Sequence, residues 1–68
     1  MILHNRLKES RIQHDLTQEM LANSVGVTRQ TIIAIEKEKF VPSVKLALHL
    51  ALALDLPVGE LFWLDKEG

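Results

Sequence analysis

Cysteine is absent from this 68-residue chain, which excludes both a disulfide framework and a thiolate zinc site. A domain of this length buries only about 60% of the surface that its unfolded chain exposes, so its stability must come from packing, association with a partner subunit is expected to add to it, and the chain should fold alone or as a dimer. No apolar run approaches the roughly eighteen residues of a membrane span, and the first residues lack the basic-then-apolar order of a signal peptide. A cytoplasmic protein is expected, and the missing cysteine fits a reducing compartment. Internal repeats, linkers, low-complexity stretches and a glycine-rich phosphate loop are missing as well. What is present, 47% hydrophobic and 25% charged residues, is the composition of an ordinary folded protein, expected as one unit over residues 1–68.

Charge of one sign is also lacking, since the formal net charge is -1, whereas proteins that bind phosphate polymers are usually basic overall. The distribution is uneven, however. Arg6, Lys8, Arg11, Arg29, Lys37, Lys39 and Lys45 all precede Asp55, after which Glu60, Asp65 and Glu67 are opposed only by Lys66. A molecule with one basic face and an acidic far end is compatible with docking on a polyanion.

Punctuation falls at His14-Asp15, Val25-Gly26-Val27, Phe40-Val41-Pro42 and Leu56-Pro57, leaving five short helical segments. The first, about Arg6 to His14, aligns Leu7, Ser10, Arg11 and His14 on one face. The second opens at Thr17 as N-cap, with Glu19 in its first turn and Leu21, Ala22 and Val25 inward. Gly26 can take the left-handed conformation that stops a helix, and Thr28 then caps a third helix, about Arg29 to Glu36. In that helix Ile32 and Ile35 point inward, while Arg29, Gln30, Ile33, Ala34 and Lys37 point elsewhere. The fourth segment, capped by Ser43, runs from Val44 to Leu54 with alternating leucines, a strand period. Its leucines and alanines favour helix, and its length exceeds an average strand, so a helix is expected with Leu46, Ala47, Leu50, Ala51 and Leu54 buried. Leu48 and Leu52 are then left on an outer face. The fifth helix, about Val58 to Leu61, begins at Pro57.

The stretch Leu16-Thr17-Gln18-Glu19-Met20-Leu21-Ala22, followed by Val25-Gly26-Val27-Thr28-Arg29-Gln30-Thr31-Ile32 and Ile35-Glu36, closely resembles the Cro and phage-repressor (xenobiotic-response-element) family of helix-turn-helix regulators. The likeness continues through Pro42-Ser43, Leu46-Ala47-Leu48, Ala51, Leu54 and Leu61-Phe62, and is greatest to the short, cytolysin-repressor-type members. It implies an all-α, five-helix, lambda-repressor-like DNA-binding domain, with the helix-turn-helix at about residues 17–36 and the recognition helix at about 28–36. It also implies that the first and last residues pair as a small antiparallel sheet and that the C-terminal part makes a dimer contact. Two departures stand out. Members usually carry glycine at Asp15 and often Asn-Gly at Glu38-Lys39; aspartate tolerates the left-handed conformation, but Glu38 brings a negative charge near the expected DNA backbone.

A helix enters the major groove with its N-terminal residues against base edges. Arg29 and Gln30 hold those positions, and the two side chains suit guanine O6/N7 and adenine N6/N7 respectively; Ile33 and Ala34, one turn on, suit thymine methyl groups. Ile33 has the plainer reading of a stray exposed apolar residue. By resemblance, Gln18 bonds a phosphate and buttresses the first base-reading side chain. Thr28 and Thr31 are phosphate candidates, and Lys37 and Lys39 are either phosphate contacts or simply solubilising charges. Arg11 and Glu36 match a family pair joined as a structural salt bridge between the first helix and the end of the recognition helix.

Leu48, Leu52, Leu61, Trp63 and Leu64 supply more apolar surface than so short a core can hide. Leu52, Leu61, Trp63 and Leu64 are therefore expected at an isologous dimer interface. His4, His14 and His49 lack ligand spacing, so no metal site is expected. Ser10 and His14 lie four apart without a third member or an oxyanion device, which reads as core lining rather than catalysis. No enzyme activity, cofactor or small-molecule ligand is expected. Double-stranded DNA carrying a palindromic operator, bound by a homodimer acting as a repressor, is the first reading; an antitoxin-like, partner-binding module with secondary DNA binding is the alternative.

Overall fold

The computed structural model describes residues 1–65. Lys66 and Glu67, counted above in the C-terminal charge, lie outside the described residues. The chain runs β1 (Leu3–Asn5), α1 (Leu7–Gln13), α2 (Gln18–Val25), α3 (Arg29–Glu36), α4 (Val44–Ala53), α5 (Val58–Leu61) and β2 (Phe62–Leu64). Five helices and one antiparallel strand pair are thus the architecture, with Leu3 opposite Leu64, His4 opposite Trp63 and Asn5 opposite Phe62. The Asp65 amide continues the pairing by donating to the Ile2 carbonyl at 2.9 Å.

Each of the three longer helices begins at a hydroxyl that accepts an orphan backbone N–H. Thr17 takes the Met20 amide at 3.0 Å, Thr28 the Thr31 amide at 3.3 Å and Ser43 the Leu46 amide at 3.1 Å. The helix ends are equally uniform. Asp15, Gly26, Glu38 and Asp55 all have positive φ, between 55° and 76°. After each, the next amide returns to a carbonyl on the last turn: Leu16 to Arg11, Val27 to Ala22, Lys39 to Ala34 and Leu56 to Ala51. A Cβ at Gly26 would meet nothing within 4 Å, so glycine is favoured there by its φ of +76° and not by space.

Leu7, Leu21, Ile32, Ile35, Leu50, Leu54 and Leu61 are fully buried and, with Ala22, Ala51 and Phe62, form one core. Burying each such leucine or isoleucine contributes about 1.5–3 kcal/mol, which is what holds the short helices against one another. In α4 the 3.6-residue period prevails over the leucine alternation. Leu50, Ala51 and Leu54 are buried, Leu46 and Ala47 are half-buried against them, and Leu48 and Leu52 face out.

Two expectations are corrected. Leu61 is not on an outer surface: it is fully buried, because the single turn of α5 folds back on the core and the Arg6 amide pins the Leu61 carbonyl at 3.1 Å. His14 does not line the core beside Ser10. Since α1 ends at Gln13, His14 is its exposed C-cap, with Nδ1 2.9 Å from the Ser10 carbonyl.

Candidate nucleic-acid interface

α2 and α3 are joined only by Gly26-Val27-Thr28, and the left-handed Gly26 turns the chain sharply between them. Ile32 and Ile35 bury the inner face of α3. The opposite side of its first turn is consequently free: Arg29 and Gln30 are both exposed. Thr31, Ile33 and Ala34 are half-buried along the flank, and the Thr31 hydroxyl lies 3.1 Å from that of Thr28. Gln18, Thr17, Arg11 and Arg29 line one open cleft beside the head of α3. Lys37 caps the end of α3, and both Lys37 and Lys39 are exposed in the loop that follows.

The other end of α3 is gripped firmly. Arg11 donates from Nε to Glu36 Oε2 at 2.7 Å, and its second nitrogen reaches Glu36 Oε1 at 3.4 Å. Its third nitrogen donates to the Leu16 carbonyl at 2.9 Å. Gln18 joins this group by donating to Glu36 Oε1 at 3.2 Å, so it is tied to the end of α3 as well as bordering the cleft at its beginning. The side chains of Arg11 and Glu36 are 10% and 6% exposed, and a buried arginine fork of this kind requires its carboxylate.

Three participants escaped the sequence reading. Asn5 donates to the Ile35 carbonyl at 2.9 Å and accepts the Leu7 amide at 3.0 Å, thereby satisfying the first amide of α1 and tying β1 to α3. An asparagine just ahead of an apolar helix start was the available signal. Arg6 lies over the Trp63 ring, 5.0 Å from its centroid. His4 places Nδ1 3.0 Å from Glu38 Oε2 and Nε2 3.7 Å from Asp65 Oδ2. These last pairings span most of the chain, so no local pattern announces them.

The Glu38 hydrogen bond raises the His4 pKa above its usual value; partial burial opposes this, while the Glu38 and Asp65 charges add to it. The stabilising contribution of protonated His4 is therefore fully present below the unfolded value and is lost as pH rises through the higher folded one.

Among the described residues, no group of His, Cys, Asp or Glu side chains is placed to hold a metal ion, and no helix is long and apolar enough to cross a membrane.

A helix-turn-helix family model matches residues 7–61, from the start of α1 to the end of α5. The uncharacterised HTH-type transcriptional regulator YgzD of Bacillus subtilis is 45% identical over 66 residues, covering 97% of this chain and 100% of that protein. The cryptic phage CTXphi transcriptional repressor RstR of Vibrio cholerae is 33% identical over 57 residues, 84% of this chain and 51% of that one. Among solved structures, the restriction-modification controller protein C.AhdI from Aeromonas hydrophila matches with a TM-score of 0.75 at 36% identity, covering 81% of this chain and 80% of its own.

Proposed function

The chain belongs to the helix-turn-helix family of DNA-binding transcriptional regulators, and from that premise we propose that it is a repressor that reads a palindromic operator as a homodimer. One observation supports this most directly: a guanidinium and an amide stand exposed at the opening of a helix whose far end is clamped to the rest of the protein. Arg29 donates two hydrogen bonds to a guanine edge and Gln30 pairs with an adjacent adenine, with Ile33 and Ala34 against thymine methyl groups. Gln18, Thr28, Thr31, Lys37 and Lys39 take phosphates on either side, fixing register without carrying sequence information.

Two copies related by a two-fold axis set their recognition helices about 34 Å apart, one turn of DNA. Leu52, 82% exposed, and Leu64, 52% exposed, supply apolar area for that contact together with Trp63. Trp63 keeps 39% of its surface exposed although Arg6 covers one side, which suits an anchor at the rim of a packed interface.

Duplexes selected from random DNA by the native protein are expected to contain two inverted half-sites. On such a duplex, Arg29→Ala loses about 1–3 kcal/mol and relaxes base preference at one position per half-site, whereas Lys37→Ala weakens all sequences alike and flattens the salt dependence. Equal losses on selected and random DNA for Arg29→Ala would remove it from the base-reading set. Trp63→Ala is expected to raise the dimer dissociation constant in sedimentation equilibrium; a native chain that stays monomeric at high concentration rejects the interface.

A further inference from the structure

The strand pair lies outside the stretch matched by the family model, which begins at Leu7 and ends at Leu61. It nevertheless reaches the loop behind the recognition helix through the His4 side chain. Glu38, its partner, sits between Lys37 and Lys39, where the chain leaves α3 in a left-handed turn with φ of 62°. That loop thus presents two exposed lysines and one carboxylate, and among the described residues neither lysine is ion-paired.

We infer that His4 couples operator binding to proton uptake: when protonated it holds and neutralises the Glu38 carboxylate, leaving the loop as a purely cationic clamp for the DNA backbone. The inference rests on the DNA-binding reading above. Among the described residues, the groups facing His4 are Glu38 from the loop after α3, Asp65 from the chain after β2, and the Trp63 ring of β2 at 6.2 Å, itself covered by Arg6 from the head of α1. The two carboxylates favour the imidazolium, and partial burial opposes it.

Electrostatics gives the sign. With neutral His4, Glu38 keeps its full charge between the two lysines and repels an approaching phosphate. With the imidazolium 3.0 Å away, that repulsion is cancelled, and the phosphates in turn stabilise the added proton. Binding and protonation therefore reinforce each other, and linkage makes the effect reciprocal. His4 acts through Glu38 and is a positioning residue; it touches no base.

The test uses a duplex selected by the native protein, titrated by fluorescence anisotropy from about pH 6 to pH 8.5 at about 0.1 M salt, where exposed charges about 10 Å apart still interact. Native protein is expected to bind about three- to tenfold more tightly at the acid end, within the limit of about tenfold per pH unit for one proton. H4Q flattens the profile. E38Q flattens it too, and at the alkaline end binds as tightly as native protein does in acid. His14 and His49 remain in all three proteins, so the differences belong to His4. A merely structural His4 would change the melting temperature and leave the slope intact, which circular dichroism on the same samples distinguishes. A flat native profile, or a slope retained in H4Q, overturns the coupling alone; no binding by native protein at any pH overturns the DNA-binding reading and the coupling with it.

Discussion

Replacing Glu36 by alanine is expected to destabilise the protein by about 3–5 kcal/mol, the cost of leaving a buried arginine without its carboxylate. Arg11 is 8% exposed, and three of its hydrogen bonds converge on Glu36 and the Leu16 carbonyl. Gln18 would lose its acceptor at the same time. Against the total of about 5–15 kcal/mol typical of a folded domain, that loss would remove much of the stability of a chain this short. The companion experiment is Arg11→Met with Glu36→Met, which removes both charges and fills their volume. Urea denaturation should show that the double variant recovers most of what the single one loses. A loss below about 1 kcal/mol for Glu36→Ala would mean that the pair behaves as a solvated surface bridge and does not hold α3.

The second large effect concerns Leu61. Its side chain is fully buried among the core residues, so Leu61→Ala leaves a cavity and is expected to cost about 2–5 kcal/mol. The loss is intramolecular, and the fall in urea midpoint should be the same at dilute and concentrated protein. Trp63→Ala, two residues on, is expected to behave in the opposite way, with an effect that depends on concentration if it acts through the proposed dimer. A Leu61→Ala effect that vanished on dilution would return Leu61 to the interface.

The clamped end of α3 explains how so small a molecule can present a reading surface. Glu36 is held by Arg11 and Gln18, the Ile35 carbonyl by Asn5, and Glu38 by His4, so helix α1, helix α2 and strand β1 all fasten the C-terminal end. The N-terminal end starts at the Thr28 cap with Ile32 buried beneath it, and Arg29 and Gln30 stay exposed. Side chains of the first turn are thereby held on a rigid element yet left exposed, which is the preorganisation that the proposed base-reading pair would need.

Much of this was legible beforehand because it is local. Thr17, Thr28 and Ser43 cap helices with their own hydroxyls, and Gly26 supplies a left-handed φ at little cost, so the starts of α2, α3 and α4 and the central turn could be placed from neighbours in sequence. The helical reading of Val44–Ala53 succeeded because propensity and length outweighed the misleading leucine alternation.

Sequence by itself determined the helical segments, the hydroxyl caps of α2, α3 and α4 and which residues open α3, because those follow from periodicity and from hydrogen bonds spanning three or four residues. Only the tertiary structure decided that Leu61 belongs to the core, that Gln18 reaches Glu36, and that His4 meets Glu38. Those contacts join residues brought together by the packing of separate helices and by the strand pair, and they depend on distances in space that no spacing along the chain encodes.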